Sequence, residues 1–178
     1  MTVKVTRNNI PKDVFKQVQK EFTKSGTNAR NIKKAIIDDM SAGVSPVEGK
    51  RWTKYSDSYK DVIRGKVSFR KRGGKLIKIN KPDPNVVGKG KSISPVNLRL
   101  SGGLWKSLKV STTGRLILVT FEDFLALVHN NLGASKKKII RRLLPTEPNE
   151  RFNEGITQVI ENGVKKAVDI VVKRLNRQ

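Results

Sequence analysis

Lys106-Ser107-Leu108-Lys109-Val110-Ser111, a turn at Thr113-Gly114, and then Arg115-Leu116-Ile117-Leu118-Val119-Thr120-Phe121 form the stretch on which the fold turns. The first half alternates, with Leu108 and Val110 on one side. The second is a dense aliphatic and β-branched run, and the threonine-glycine pair supplies the reversal between them. The pattern predicts a hairpin at the centre of the fold.

Helical periodicity lies on both sides of it. Upstream, Ile10, Val14, Val18 and Phe22 recur every four residues, with Pro11 at a first helical turn and Ser25-Gly26 as a stop. A second helix is predicted from about Asn28 to Met40, its stripe being Ile32, Ala35, Ile36 and Met40, with Gly43 closing it. Before both, Thr2 to Arg7 alternates as a short strand would. Downstream, Phe124, Leu125, Leu127, Val128 and Leu132 make a short apolar helical stretch ending at Gly133. Thr146-Glu147-Pro148-Asn149 has helix-start chemistry, and Phe152, Ile156, Val159, Ile160, Ala167, Val168, Val171 and Leu175 mark a long C-terminal amphipathic helix. Gly155 and Gly163 each weaken that helix by about 1 kcal/mol relative to alanine, so either something packs closely across them or the helix tolerates them. The class that follows is α+β: an antiparallel β-sheet packed with N-terminal helices and a long C-terminal helix, in one domain spanning residues 1–178.

Between Val44 and Asn97 the periodicity fades and glycine and proline punctuate the chain. From Lys60 to Lys91 there are eleven basic residues against Asp61 and Asp83, so this stretch carries +9 of the chain's net +23. It reads as a long basic loop or arm, 60–97, inserted in the domain, with room for a small hairpin at the strand-like island Lys75 to Ile79. A second basic cluster follows at Lys136, Lys137, Lys138, Arg141 and Arg142.

A charge of +23 on 178 residues repels itself and calls for an anionic counter-surface, whether nucleic acid, lipid or acidic protein. Membrane insertion is not expected, since no run approaches the roughly 18 apolar residues that a span needs, and Met1-Thr2-Val3-Lys4 does not open a signal peptide. Cysteine is absent, which excludes disulfides, thiolate metal sites and thiol catalysis; the lone histidine, His129, excludes any two-histidine device. His129 lies on an apolar helical stretch with no acid nearby in sequence beyond Glu122 and Asp123, and reads as a packed residue rather than a base. Asp38 and Asp39 are adjacent and diverge on a helix, which disfavours a shared metal. Gly88-Lys89-Gly90-Lys91-Ser92 lacks the spacing of a phosphate-binding loop. No catalytic residue, metal site or cofactor is therefore expected. The residues expected to contact DNA or a partner are Lys66, Arg70, Lys71, Arg72, Lys75, Lys78, Lys89, Lys91, Lys136, Lys137, Lys138, Arg141 and Arg142. With few aromatics and no base-reading motif, such contact would be to the phosphate backbone, independent of sequence.

Three ordered landmarks add a resemblance. Gly49-Lys50-Arg51-Trp52 is followed by Tyr55-Ser56-Asp57-Ser58-Tyr59 and then by Leu98-Arg99-Leu100-Ser101-Gly102-Gly103-Leu104-Trp105-Lys106-Ser107-Leu108. This series resembles the "G-x-x-W, L-S-x-x-Y, L-x-x-[ST]-G-x-L-x-x-S" order of the phage virion morphogenesis family, the tail-completion and neck proteins of tailed bacteriophages. Leu125 to Gly133 is similar to that family's "Y-A-x-x-H-x-x-G", and Ile139 to Pro145 to the "I-P-x-R-P-F-L" after it. The likeness runs from about residue 28 to 175. Departures are Phe124-Leu125 in place of a tyrosine, one extra residue between His129 and Gly133, no proline directly after Arg142, and a long basic arm.

The resemblance implies a structural virion protein, assembled in the host cytoplasm into a homo-oligomeric ring, six-fold or twelve-fold, at the head-tail junction. Its neighbours would be head-connector, tail-terminator or tail-tube proteins, with genomic DNA in the channel. It implies no enzymatic activity. Trp52, Tyr59, Gly102, Leu104, Trp105, His129 and Gly133 would serve structure or subunit contact. The alternatives from other classes are a sequence-independent nucleic-acid-binding protein of ribosome- or nucleoid-associated type, and a metal-dependent nuclease built on Asp38 and Asp39.

Overall fold

A computed structural model describes residues 12–84, 92–98, 103–114, 116–133 and 138–177. The strand expected at Thr2 to Arg7 lies outside them.

Helix α1, Lys12–Thr23, and helix α2, Thr27–Ala42, are joined by a tight reversal in which Ser25 and Gly26 both take positive φ, 61° and 64°. Helix α2 buries Ala29, Ile32, Ile36 and Met40, one residue per turn, which is the spacing that puts a single face against the core. Gly43 stops it. With φ at 73° this residue turns the chain left-handed, its N–H donates to Met40 O at 3.2 Å, and a side chain there would start 2.7 Å from Pro95 Cβ.

The central hairpin forms as expected: β3, Leu108–Thr113, pairs antiparallel with β4, Leu116–Phe121, and Leu108 faces Phe121 while Val110 faces Val119. That face packs on α2, and Leu108 is fully buried. The turn of the hairpin rests against the end of α1, where the buried Thr23 Oγ1 donates to Gly114 O at 3.3 Å.

The long helix α6, Glu154–Leu175, crosses α1 and α2 and buries Ile156, Gly163, Ala167 and Val171. Gly163 answers the question that its presence raised. A Cβ there would lie 2.8 Å from both Asn28 Oδ1 and Phe22 Cε2, so the glycine admits the α1–α2 corner. Gly155 has only ordinary contact. The helix starts later than Thr146-Glu147-Pro148-Asn149 suggested: Glu150 Oε2 accepts from the N–H of Thr146 at 2.7 Å and of Glu147 at 3.2 Å, closing those residues into a turn of their own. Asn153 is the true cap, its Oδ1 accepting from Ile156 N at 3.1 Å.

The described strands do not join into one sheet. Among the described residues there are two separate two-stranded hairpins, the second being β1, Ser68–Arg72, with β2, Lys75–Ile79. The stretch read as a basic arm is thus built in parts. It opens inside a helix, α3, Asp57–Ile63, whose Val62 is buried against Val67; it then projects as the hairpin; and it returns to the core at Val96 and Asn97, both buried. Helix α3 escapes sequence reading because it is short and its polar residues are those of the surrounding basic stretch. A single turn, α4, Gly103–Lys106, leads into β3, and α5, Phe124–Leu127, passes into a wider π-helical turn over Val128–Leu132.

Candidate functional site

The ordered landmarks, scattered over more than eighty residues of sequence, meet in one junction. Trp52, Tyr55 and Leu104 are buried in the main core, with Tyr59 and Trp105 packed against it. The backbone N–H of Trp52 donates to Gly43 O at 2.8 Å, which fixes the chain beneath the end of α2. Tyr55 and Tyr59 meet edge to face, ring centroids 5.1 Å apart. The Trp105 indole Nε1 donates to Asn97 O at 2.9 Å.

The segment after His129 closes the junction from the other side. Arg141 N donates to His129 O at 2.7 Å, and Asn130 Oδ1 accepts from Leu143 N at 2.6 Å and Leu144 N at 3.0 Å. One buried amide thereby satisfies two main-chain donors that would otherwise be orphaned. Gly133, with φ at 78°, turns the chain back, and a side chain there would collide with the Lys138 backbone. His129 is half-buried beside this turn. Gly102 lies outside the described residues.

Arg141 departs from its expected role as a surface cation. It is only 4% exposed, its Nη2 donates to Thr53 O at 3.2 Å, and its guanidinium sits 5.6 Å from the centroid of the Tyr55 ring. Burial pushes its pKa down. The Tyr55 hydroxyl is pushed up to about 12, by burial first and by Tyr59 second, against the opposing pull of a Leu98 backbone bond and Arg141. Arg142 is half-buried and tied down locally, by Glu150 at 3.3 Å and Thr146 Oγ1 at 2.9 Å. These two arginines sit in the basic cluster of the sequence, yet Arg141 is buried in the fold and Arg142 is held by neighbouring side chains.

A second polar knot supports the first. Asn153 Nδ2 donates to Asp39 Oδ2 at 2.7 Å and to Ser45 O at 3.2 Å, while Ser45 Oγ donates to Arg142 O at 2.9 Å. Burial raises the Asp39 pKa, the Asn153 bond opposes that rise, and the Asp38 charge adds to it. Asp39 is therefore engaged in holding the start of α6, and Asp38 is exposed beside it. Among the described residues no group of three His, Asp or Glu could hold a metal ion. Sequence reasoning passed over Ser45, Asn130 and Asn153; the one local signal was Asn153, an N-cap type ahead of Glu154.

The basic candidates that do reach solvent are concentrated on the β1–β2 hairpin. Lys66 precedes it, exposed; Arg70, Lys71, Arg72, Lys75 and Lys78 are all exposed on its two strands. Its Gly73-Gly74 turn has φ of 55° and 78°, the left-handed pair that a two-residue hairpin loop requires. Nothing lies within 4 Å of a Cβ built on either glycine, so the tip stands clear of the rest of the fold. Phe69, Leu76 and Ile77 are exposed on it too. Lys138 is exposed; Lys89, Lys91, Lys136 and Lys137 lie outside the described residues. A separate apolar surface is formed by Phe124, Leu125, Leu127 and Leu132, each about half exposed or more.

No helix among the described residues is long and apolar enough to cross a membrane. In comparisons with protein-family models, curated proteins and solved structures, nothing matches the chain.

Proposed function

We propose that the chain is a structural virion protein, a subunit of the homo-oligomeric ring that joins the head connector to the tail and surrounds the DNA channel. The observation that carries this reading is the ordered series from Gly49 to Gly133, whose described members gather at one junction as packing, turn and backbone-tying residues. That is the behaviour of an architectural signature: Trp52 and Leu104 are buried, Trp105 is anchored by its indole, and Gly133 is required by backbone geometry. Subunit contact has a surface available in the exposed leucines and phenylalanine of residues 124–132. The neighbours would be connector, tail-terminator or tail-tube proteins.

Sedimentation or native mass measurement of the purified chain at high concentration tests this directly. Closed rings of six or twelve subunits are expected, and Phe124→Asp should reduce them to smaller species without unfolding the chain. A protein that stays monomeric, and that is absent from purified particles, sinks the reading. It would leave the sequence-independent nucleic-acid-binding protein, which the exposed, acid-free hairpin favours.

A further inference from the structure

The β1–β2 hairpin is a folded element with no visible structural duty. Its strands pair with each other, residue for residue from Ser68 opposite Ile79 to Arg72 opposite Lys75, and among the described residues make no substantial contact with any other helix or strand. A two-stranded hairpin alone is marginal in water, so contact with something outside the subunit would add to its stability.

The register distributes its charge in a particular way. Directly opposed residues share a face, so Arg70, Arg72 and Lys75 stand on one side with Ile77, and Lys71 and Lys78 stand on the other with Phe69 and Leu76. Five cations and no acid occupy twelve residues, Ser68–Ile79, on both faces and at the tip. A flat acidic protein surface would engage one face and leave the other cations repelling each other. A groove walled by phosphates on both sides engages both. The major groove of duplex DNA, about 12 Å wide, admits a two-stranded β-ribbon.

We infer that the β1–β2 hairpin is a DNA-contacting finger that enters a groove of duplex DNA and binds the phosphates on its two walls without reading sequence. Arg70, Arg72 and Lys75 face one wall, and Lys71 and Lys78 the other. This deepens the reading of the chain as a protein that surrounds DNA, but does not require the ring: a monomer would carry the same finger.

The test compares three full-length proteins binding a 30-base-pair duplex of arbitrary sequence over a salt series. One is native, one has Arg70, Lys71, Arg72, Lys75 and Lys78 changed to Gln, and one has an equal charge removed elsewhere by changing the exposed Lys20, Lys34, Lys165, Lys166 and Lys173 to Gln. Each phosphate contact contributes about 0.9 to the slope of log K against log salt. Loss of five should flatten the slope by about 4.5, so that raising salt fourfold costs the native chain about 500-fold more affinity than the hairpin variant. The control variant should keep a slope near the native one. Equal flattening in both variants overturns the proposal in favour of net charge alone. A hairpin variant that binds DNA normally but no longer binds polyglutamate overturns it in favour of an acidic protein partner. Circular dichroism checks that the variants remain folded, and the mass of the assembly, read separately, reports on the ring.

Discussion

Cationic residues meet two opposite fates in this molecule. At the junction, Arg141 is withdrawn from water, set over the Tyr55 ring and bonded to the Thr53 carbonyl; on the β1–β2 hairpin, five cations are exposed to solvent. The junction is over-determined, because backbone donors, aromatic packing and a close-approach glycine all require the same arrangement. The hairpin is under-determined, held by its own ladder and its Gly73-Gly74 turn. A charge count treats both populations alike. The fold separates them, and only the second is free to act on something else.

The sharpest way to break this contrast is to make the same deletion in both regions. Leu143 is fully buried and Leu76 is 68% exposed. Leu143→Ala should cost about 3 to 5 kcal/mol, the range for a large core cavity. Leu76→Ala should change global stability by less than about 0.5 kcal/mol, as exposed substitutions do. Urea unfolding of both variants measures the difference. Similar losses at the two sites would mean that the hairpin is part of the cooperative core, and the division into two regions would fail.

Glycine gives a finer cut. Gly43 and Gly74 share a positive φ, 73° and 78°, but a Cβ on Gly43 would meet Pro95 and the Val96 carbonyl, whereas one on Gly74 would meet nothing within 4 Å. Alanine at either position pays about 1 to 2 kcal/mol for the left-handed backbone. At Gly43 the collision adds about 1 to 3 kcal/mol as overpacking, and the whole should appear in global unfolding. At Gly74 the cost should stay within the hairpin, appearing as faster amide exchange over residues 68–79 with the global transition unmoved.

The legibility of the sequence follows the same division. Helices α2 and α6 and the β3–β4 hairpin are written in periodicity, because each buries one face, marked locally by Ile32, Ile36, Leu108 and Ile156; helix α1 is written the same way, with Val14, Val18 and Phe22 half-buried. The junction was half legible. Trp52, Leu104 and Trp105 stand out by type and order, while Ser45, Asn130 and Asn153 act through a few hydrogen bonds each, spanning 97 to 114 residues or closing a turn, which no local pattern encodes. In sequence Arg141 reads as a surface residue because its neighbours are basic; its burial is decided by Tyr55 and Thr53, which arrive from elsewhere in the chain. The start of the C-terminal helix is misplaced by sequence for a similar reason: Glu150 folds back on Thr146 and Glu147, turning a helix-start composition into a closed loop.

The smallest expected effect lies in the polar knot at the edge of the junction, where Asp39 accepts from Asn153. Burial, helped by the Asp38 charge, raises the Asp39 pKa above its ordinary value, against the Asn153 bond. A carboxyl whose pKa is higher in the folded state than in the unfolded state holds its proton more tightly when folded. Its contribution therefore favours folding at acidic pH and is lost as pH rises from the ordinary carboxylate range through the raised value. Asp39→Asn keeps an acceptor for Asn153 and removes the ionisation. The variant should match the native chain in stability at pH 3, where both side chains are neutral, and exceed it slightly at pH 7, where the native carboxylate is charged in a partly desolvated site. Asp57 and Glu150 shift the opposite way, held down by Lys60 and by the Thr146 and Glu147 amides respectively, so the native profile alone mixes both signs. The difference between variant and native chain across pH removes that background, and a difference that is largest at pH 3 would show that the Asn153 bond, rather than burial, governs Asp39.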